Sequence, residues 1–293
     1  MSRVMAQSLH EEAVAHAVLA ARSGDLMWRH IESEYSQDPL QIAETLDTEF
    51  PLAWALAQDT GEEGSYHFLV GTTVEAIRQQ YEVLRTYIEI WGWKPLLEIR
   101  QSWYTLTQGV ALIKSVATGE LHQNETVNLF PNGEDGVLGE LQCANVGRLP
   151  NGRYPADDTP LPLQRLAALE AHDSYIEALR TEDVDRIVAA HSPKGCVAMR
   201  SYVTDESTQL NVTGLDPLRE YFSALFRRYH VRDLRLVNRV AEAWYVFAEL
   251  HWTVEERGGE QRTLEFCTAE LSPLDYEGRY WIRTGAGTDP LEV

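Results

Sequence analysis

A strand-like segment at residues 244–255 carries two titratable side chains on one face. Along this segment every second residue is apolar, namely Trp244, Val246, Ala248, Leu250, Trp252 and Val254. The other face carries Glu249 and His251 after Tyr245 and Phe247, because side chains alternate between the two faces of a strand. The Cβ atoms of Glu249 and His251 are therefore predicted to lie about 7 Å apart. A carboxylate at that distance raises the pKa of an imidazole, and such a pair can move a proton on a bound substrate.

Two interpretations of this segment stay open. If the sheet is strongly curved and its polar face is concave, Tyr245 and Phe247 line a pocket in which Glu249 and His251 act as acid and base. If the sheet is half-exposed, the apolar face packs on the core and the same four side chains lie on the water side.

A proline-rich segment at 148–164 divides the sequence. Four prolines within thirteen residues exclude a helix or a central strand, so this segment is predicted to link domains at 1–147 and 165–293. The two parts show the same order of landmarks, which indicates an internal duplication. Asp25 and Asp183 each end a helix break and are predicted to cap the next helix. Gly71 and Gly214 each open a long helix, and Gly136 and Gly278 each lie in a turn before the last strand.

Each part is predicted to contain two helices, a short strand, a long helix and then three or four antiparallel strands. Helices separated along the chain from an antiparallel sheet indicate an α+β fold. The long helix of the second part carries an apolar stripe with Leu218, Phe222 and Leu225, which must pack against one face of that sheet. A strongly curved sheet leaves a pocket between the helices and its concave face.

Three segments of the second part resemble a known family: Tyr175–Val188, Thr213–Phe226 and the hairpin around Gly278. They are similar to the ketosteroid isomerase, SnoaL-like polyketide cyclase and scytalone dehydratase group of the nuclear transport factor 2-like superfamily. The resemblance covers nearly the whole chain as two tandem copies. It implies two cone-shaped domains, each a strongly curved antiparallel sheet wrapped on helices (a cystatin-like α+β barrel), arranged as a pseudo-dimer. It does not select a reaction, because this superfamily includes isomerases, cyclases, dehydratases, epoxide hydrolases and binding modules.

The resemblance also implies roles for individual residues. In ketosteroid isomerase-like proteins, a helix tyrosine and a protonated acid on a strand donate hydrogen bonds to an enolate oxygen, and these positions match Tyr175 and Glu270. The general base of that group would align with Met199, where no carboxylate stands, so a steroid isomerase of that mechanism is disfavoured. The remaining candidates for the base are His251, Glu249 and the helix pair His172 and Asp173. The predicted substrate-binding residues are Tyr245, Phe247, Phe222 and Met199.

The first part lacks these groups at the positions that the landmarks match. The replacements are Ala17 for Tyr175, Gln108 for Glu249, Val110 for His251 and Asn128 for Glu270. The N-terminal pocket is therefore predicted to be degenerate, and the candidate active site is predicted in the C-terminal domain.

Charge and cysteine content narrow the functional classes. The 293 residues include 45 acidic and 25 basic side chains, and a net charge of −20 disfavours binding to nucleic acid or to anionic membrane surfaces. The sequence has no apolar run that spans a bilayer and no signal-peptide core. Three widely spaced cysteines indicate a reducing compartment, so a cytoplasmic location is predicted. Nucleotide-binding, zinc and nucleophile-elbow motifs are absent from the sequence, so neither a cofactor nor a metal site is predicted.

Together these observations predict a cofactor-independent acid/base enzyme, namely an isomerase, cyclase or dehydratase. Its partner would be a small, mostly apolar, oxygenated ring molecule such as a polyketide, terpenoid or steroid, and its sheets are a predicted surface for self-association. The alternative is a non-catalytic module of the same fold that binds a small ligand or mediates assembly. The catalytic interpretation requires Glu249, His251 and Glu270 to converge in one cavity, whereas the module allows them to point elsewhere.

Overall fold

A computed structural model describes residues 3–47, 54–59, 66–71, 73–144, 160–200, 209–258, 262–275 and 277–293. The chain divides into two units, which comprise Met1–Gln58 with Phe68–Val146 and Asp59–His67 with Gly147–Val293. Most of the predicted linker lies outside the described residues. Its last residues belong to a helix that begins at Leu161, because Pro162 stands in the first turn, where a missing N–H is tolerated.

The first unit places three helices and six strands in one α+β arrangement. In chain order the elements are α1 (Arg3–Glu34), α2 (Pro39–Ala43), β1 (Trp54–Asp59), β2 (Tyr66–Gly71), α3 (Val74–Leu84), β3 (Ile88–Arg100), β4 (Tyr104–Ser115), β5 (Leu121–Pro131) and β6 (Leu141–Ala144). The strand order in the sheet is β2-β1-β6-β5-β4-β3.

The second unit repeats this order of elements. They are α4 (Leu161–Arg180), α5 (Val184–Ala189), β7 (His191–Arg200), β8 (Gln209–Thr213), α6 (Leu215–Arg228), β9 (Tyr229–Ala241), β10 (Tyr245–Glu256), β11 (Thr263–Pro273), β12 (Tyr280–Gly287) and β13 (Leu291–Glu292). The strand order is β8-β7-β12-β11-β10-β9, and β13 pairs with β11. The predicted α+β class is confirmed.

Two details of the predicted sheets are wrong. The single short strand is a pair of strands in each unit, and β1 and β7 pair in parallel with β6 and β12, so neither sheet is purely antiparallel. Among the described residues, no pairing joins the edge strands β8 and β9, so the second sheet does not close into a barrel there. The pseudo-dimer arrangement stays a prediction.

The predicted helix break at Asp25 is also wrong, since α1 continues to Glu34. Gly24 lies inside this helix, where an added Cβ would come within about 2.5 Å of the guanidinium of Arg100. The aspartate that caps the second helix is Asp38, whose side chain accepts a hydrogen bond from the Leu40 N–H, as Asp183 does from the Arg186 N–H. Asp38 therefore has the same capping role as Asp183 and lies thirteen residues after the predicted Asp25.

The apolar face of β10 forms the core of the second unit together with α4 and α6. Val246, Ala248, Leu250, Trp252 and Val254 are buried in one cluster that also contains residues of α4 and α6. The sheet therefore presents its apolar stripe to the helices, as the half-exposed interpretation expects. None of the described helices is long and apolar enough to cross a membrane.

Candidate functional site

A cavity lies between the helices and the sheet of the second unit. Its cavity volume is about 30 Å³, and the figure rises to about 520 Å³ only when all space between the lining atoms and at the open mouth is counted. Most of its wall is apolar, with Leu179, Phe222, Phe226, Trp252 and Phe266 among the lining residues. Its polar lining is small and comprises Thr268, Glu270, Arg283 and the tyrosines Tyr175, Tyr221 and Tyr229. A few polar groups in an apolar cavity are typical of a small-molecule site.

Glu270 is the acidic group of this cavity. It lies on β11 opposite Ala248 of β10, which directs it to the helix-facing side of the sheet, and it is 5% exposed. The Thr268 hydroxyl donates a hydrogen bond to Oε1 at 3.3 Å, and the Trp252 indole N–H donates to that hydroxyl at 3.0 Å. Burial raises the pKa of Glu270 to about 7, while the Thr268 hydrogen bond opposes the rise.

Arg283 on β12 provides a buried cation beside this acid. Its Nε lies 3.7 Å from Oε2 of Glu270, and its Cζ lies 5.2 Å and 5.5 Å from the ring centres of Phe222 and Tyr175. Burial lowers the pKa of Arg283 to about 9. The attraction between the two charges opposes both of these burial effects, because it favours the ionised form of each group. Within the described part of the chain, Nε and Nη1 have no hydrogen-bond partner.

Tyr175 borders both the cavity and an aromatic cluster with His191 and Tyr280. The ring centre of Tyr175 lies 5.0 Å from that of Tyr280 and 5.9 Å from that of His191. The hydroxyls of Tyr175 and Tyr280 and Nε2 of His191 are buried without a hydrogen-bond partner among the described residues. A buried, unpaired donor costs about 1–3 kcal/mol, so the Tyr175 hydroxyl, whose side chain lines the cavity, is suited to bind a polar atom of a ligand.

Of the predicted catalytic and substrate-binding residues, four line the cavity and the others do not. Those that line it are Tyr175, Met199, Phe222 and Glu270. Asp173 is exposed and pairs with Arg239 outside the cavity lining. The sequence-based prediction missed Arg283, although an arginine that follows Trp281 and Ile282 in a strand is an available signal for a buried charge.

The predicted convergence of Glu249 and His251 with Glu270 is wrong. Directly opposed residues share a face of the sheet, and Glu249 and His251 oppose Ala269 and Cys267, which alternate with Glu270. Both side chains therefore lie on the face away from the cavity. There Glu249 accepts a hydrogen bond from Asn238 at 2.5 Å, and Nε2 of His251 lies 3.6 Å from Glu265.

Tyr245 and Phe247 share this opposite face and do not line the cavity. Both are fully buried. The half-exposed interpretation expects them on the water side, so it is wrong for this end of the face. The physical reason for the misplacement is that the continuous apolar stripe of β10 is required to cover α4 and α6.

Two buried histidines of the second unit predict an acid-sensitive fold. Burial lowers the pKa of both His172 and His191 to about 4, and the cation of Arg239 adds to the effect at His172. Both are neutral in the folded state and take up a proton on unfolding below pH 6.5, so the stability present above that pH is lost as the pH falls toward 4. We expect a loss of up to about 3 kcal/mol for each histidine. Urea unfolding between pH 7 and 4 checks this, and His191→Gln should flatten the dependence; an unchanged slope would contradict it.

One family model matches a segment of this unit. Residues 172–269 match the SnoaL-like domain, so the predicted resemblance holds for this segment. No curated protein matches the chain.

Similar solved structures include a ketosteroid isomerase-like protein from Erwinia carotovora atroseptica SCRI1043, with 14% identity over 42% of this chain and 95% of that chain and a TM-score of 0.35. The epoxide hydrolase/cyclase-like enzyme SalBIII of salinomycin pyran-ring formation is 14% identical over 44% of this chain and 97% of its own, with a TM-score of 0.35. An LEH-like epoxide hydrolase from M. tuberculosis is 17% identical over 41% and 82%, with a TM-score of 0.32. At these values no activity is transferred to this chain.

Proposed function

We propose that the second unit is a cofactor-independent acid/base enzyme of the isomerase or cyclase type. Its substrate is a small, mostly apolar, oxygenated ring such as a polyketide, terpenoid or steroid-like ketone. Glu270 moves the proton, while the Tyr175 hydroxyl and the Arg283 guanidinium stabilise the oxygen on which negative charge develops. These roles replace the predicted use of His251 and Glu249, which lie on the other face of the sheet.

One observation supports this proposal above all others. An acidic side chain with a pKa of about 7 lies in an apolar cavity, next to a guanidinium and a tyrosine hydroxyl that has no partner among the described residues. A proton-transfer group is most effective when its pKa is close to the working pH, because both of its forms are then accessible. The apolar wall keeps water away and strengthens each electrostatic interaction with a bound substrate.

The charges of the cavity suit abstraction of a proton next to a carbonyl group. Ionised Glu270 takes the proton from carbon, and the electron pair moves to the carbonyl oxygen to give an enolate. Negative charge thus passes from the carboxylate to the substrate without changing the total charge of the cavity. Arg283 contacts Glu270 and the Tyr175 ring, so one cation stays close to the charge before and after the transfer. Return of the proton to another carbon completes an isomerisation.

We also infer that the two units are tandem copies of one fold. They share the order of strands in the sheet, the aspartate caps at Asp38 and Asp183, and a helix that follows the second strand. The match to the SnoaL-like domain lies in the second unit, so the N-terminal copy rests on topology and on these caps.

The proposed function is tested with 2-tetralone, a bicyclic ketone, and with 2-naphthol, which resembles its enolate. The protein should accelerate exchange of the ketone α-hydrogens for deuterium in D₂O, followed by NMR, and should bind the phenol, followed by fluorescence. Tyr175→Phe should weaken naphthol binding by about tenfold, as expected for loss of one hydrogen bond. Binding without exchange would instead support the non-catalytic module, and absence of both would contradict the proposed site.

A further inference from the structure

The first unit contains a buried cluster of four polar side chains. His30 and Glu34 lie one turn apart on α1, Tyr81 lies on α3, and Glu140 immediately precedes β6. Their exposed fractions are 0%, 7%, 1% and 2%. One ligand atom from each of His30, Glu34 and Glu140 lies within 4.8 Å of the other two. The cluster combines imidazole and carboxylate groups, and the spacing of four residues places two of them on the same helix face.

Three acceptor atoms of this cluster surround a hydroxyl group that has a single proton. The Tyr81 hydroxyl lies 2.9 Å from Oε1 of Glu34, 2.8 Å from Oε2 of Glu140 and 3.3 Å from Nε2 of His30. A phenol carries one proton, so it donates to one of these three acceptors at a time. With both carboxylates ionised and the imidazole neutral, two of these close contacts have no proton between them. Burial and the neighbouring Glu140 raise the pKa of Glu34 to about 7, so a shared proton is the alternative to a bound ion.

The tautomer of His30 directs a lone pair into the same cluster. The Thr45 hydroxyl donates to the Ile42 carbonyl at 2.6 Å, so toward His30 it acts as an acceptor. It lies 2.6 Å from Nδ1 of His30, which therefore carries the proton. Nε2 then presents its lone pair to Glu140, 3.8 Å away, and to Tyr81. A histidine held in this way by its other nitrogen is the usual arrangement of a metal ligand.

The cluster occupies the positions that surround the cavity in the second unit. His30 and Glu34 stand eight and four residues before the capping Asp38, as Tyr175 and Leu179 stand before Asp183. Likewise Tyr81 and Phe222 each stand eight residues after the helix cap, Thr73 and Gly214. The misplaced Asp25 put Ala17 where His30 belongs, so one of the four replacements behind the predicted degenerate pocket is wrong.

The strand pairing extends this match to Glu140 and Asn128. Glu140 stands two residues before Gln142, which pairs with Asn128, and Arg283 stands two residues before Gly285, which pairs with Glu270. Asn128 is 4% exposed, and its Oδ1 has no hydrogen-bond partner within the described residues. Asn128 lies two residues before Phe130 in β5 and so shares its face, and the Phe130 ring centre is 5.8 Å from that of His30. This unpaired oxygen is therefore a second polar group on the cluster side.

We propose that the first unit binds one divalent first-row transition-metal ion through Nε2 of His30 and the carboxylates of Glu34 and Glu140, with the Tyr81 oxygen as fourth ligand. Bonds of about 2.1 Å in a tetrahedral site separate the ligand atoms by about 3.4 Å. Four of the six separations between these atoms are 2.8, 2.9, 3.3 and 3.8 Å, on either side of that value, and the other two pairs lie within 4.8 Å. The imidazole favours zinc and its neighbours over magnesium and calcium, which prefer oxygen ligands alone.

The test uses the untagged full chain, stripped with EDTA and then given zinc or cobalt. We expect one zinc ion per chain after gel filtration, measured by inductively coupled plasma mass spectrometry, and visible cobalt bands of a four-coordinate site. Magnesium in excess should not displace zinc. A wild-type chain that retains no stoichiometric zinc, or that exchanges zinc for magnesium, overturns the proposal. The buried side chains of the cluster would then share a proton in place of an ion.

Matched variants localise the ion. Glu140→Gln keeps the shape of the side chain but removes a charged ligand, and it should weaken zinc binding by at least about 100-fold. Glu249→Gln, another buried glutamate outside the cluster, should bind zinc like the wild type. Thr45→Val should weaken binding by about 10–100-fold while preserving the cobalt spectrum, because Thr45 only positions His30. Zinc binding by Glu140→Gln equal to that of the wild type overturns the site.

Discussion

Glu270→Gln is expected to lower the rate of proton transfer by about 10² to 10⁴, the usual effect of removing a general acid or base. The amide has nearly the shape of the carboxyl group but cannot take up a proton. In the wild type the ionised form is the base, so the rate should rise with pH and level off above the pKa of about 7 that burial produces. The variant should lose this rise, as measured by deuterium exchange of 2-tetralone between pH 5 and 9.

Glu249→Gln is the matched control for this prediction. Glu249 and Glu270 are both 5% exposed and lie on neighbouring strands, but only Glu270 faces the cavity. The control should retain the wild-type rate and pH profile, and circular dichroism should show that both variants are folded. A larger rate loss in Glu249→Gln than in Glu270→Gln would contradict the assignment of the base and return it to the opposite face.

Arg283→Met is expected to destabilise the second unit by about 3–5 kcal/mol at pH 8, the typical cost of leaving one partner of a buried ion pair uncompensated. The cation lies 3.7 Å from Glu270, and both side chains are almost completely buried. Removing it raises the pKa of Glu270 further. The pKa of Glu270 is about 4.5 in the unfolded chain and higher in the folded protein. Its contribution to stability is therefore fully present below pH 4.5 and is lost as the pH rises through the pKa of the folded protein. The loss should therefore be smaller at pH 5.

Two further variants separate the buried charge from other effects of the substitution. Arg283→Met combined with Glu270→Gln removes both charges, so it should recover much of the stability that Arg283→Met loses at pH 8. Arg239→Met breaks an ion pair with exposed Asp173 and should cost no more than about 1 kcal/mol. Urea unfolding at pH 5 and pH 8 measures all three. Equal losses in the single and double variants, or a loss independent of pH, would contradict a charged pair.

Much of the fold follows from local patterns. Asp183 caps α5 as its position before the apolar residues predicts, and the residues of β10 divide between two faces as their alternation predicts. The predicted break at Asp25 is wrong because α1 continues to Glu34, and the turn-like residues Gly24 and Asp25 do not interrupt it. The parallel pairing of β7 with β12 is long-range, and no local pattern encodes it.

For the candidate site, the amino-acid sequence by itself determined which side chains share a face of a strand or a helix, because backbone periodicity sets this residue by residue. Only the tertiary structure decided which face of β10 meets the helices, and it turned Glu249 and His251 away from Glu270. The meeting of Arg283 with Glu270 and of His30 with Glu140 likewise depends on strand register and helix packing. These contacts arise from burying apolar surface over the whole unit, which no short segment specifies.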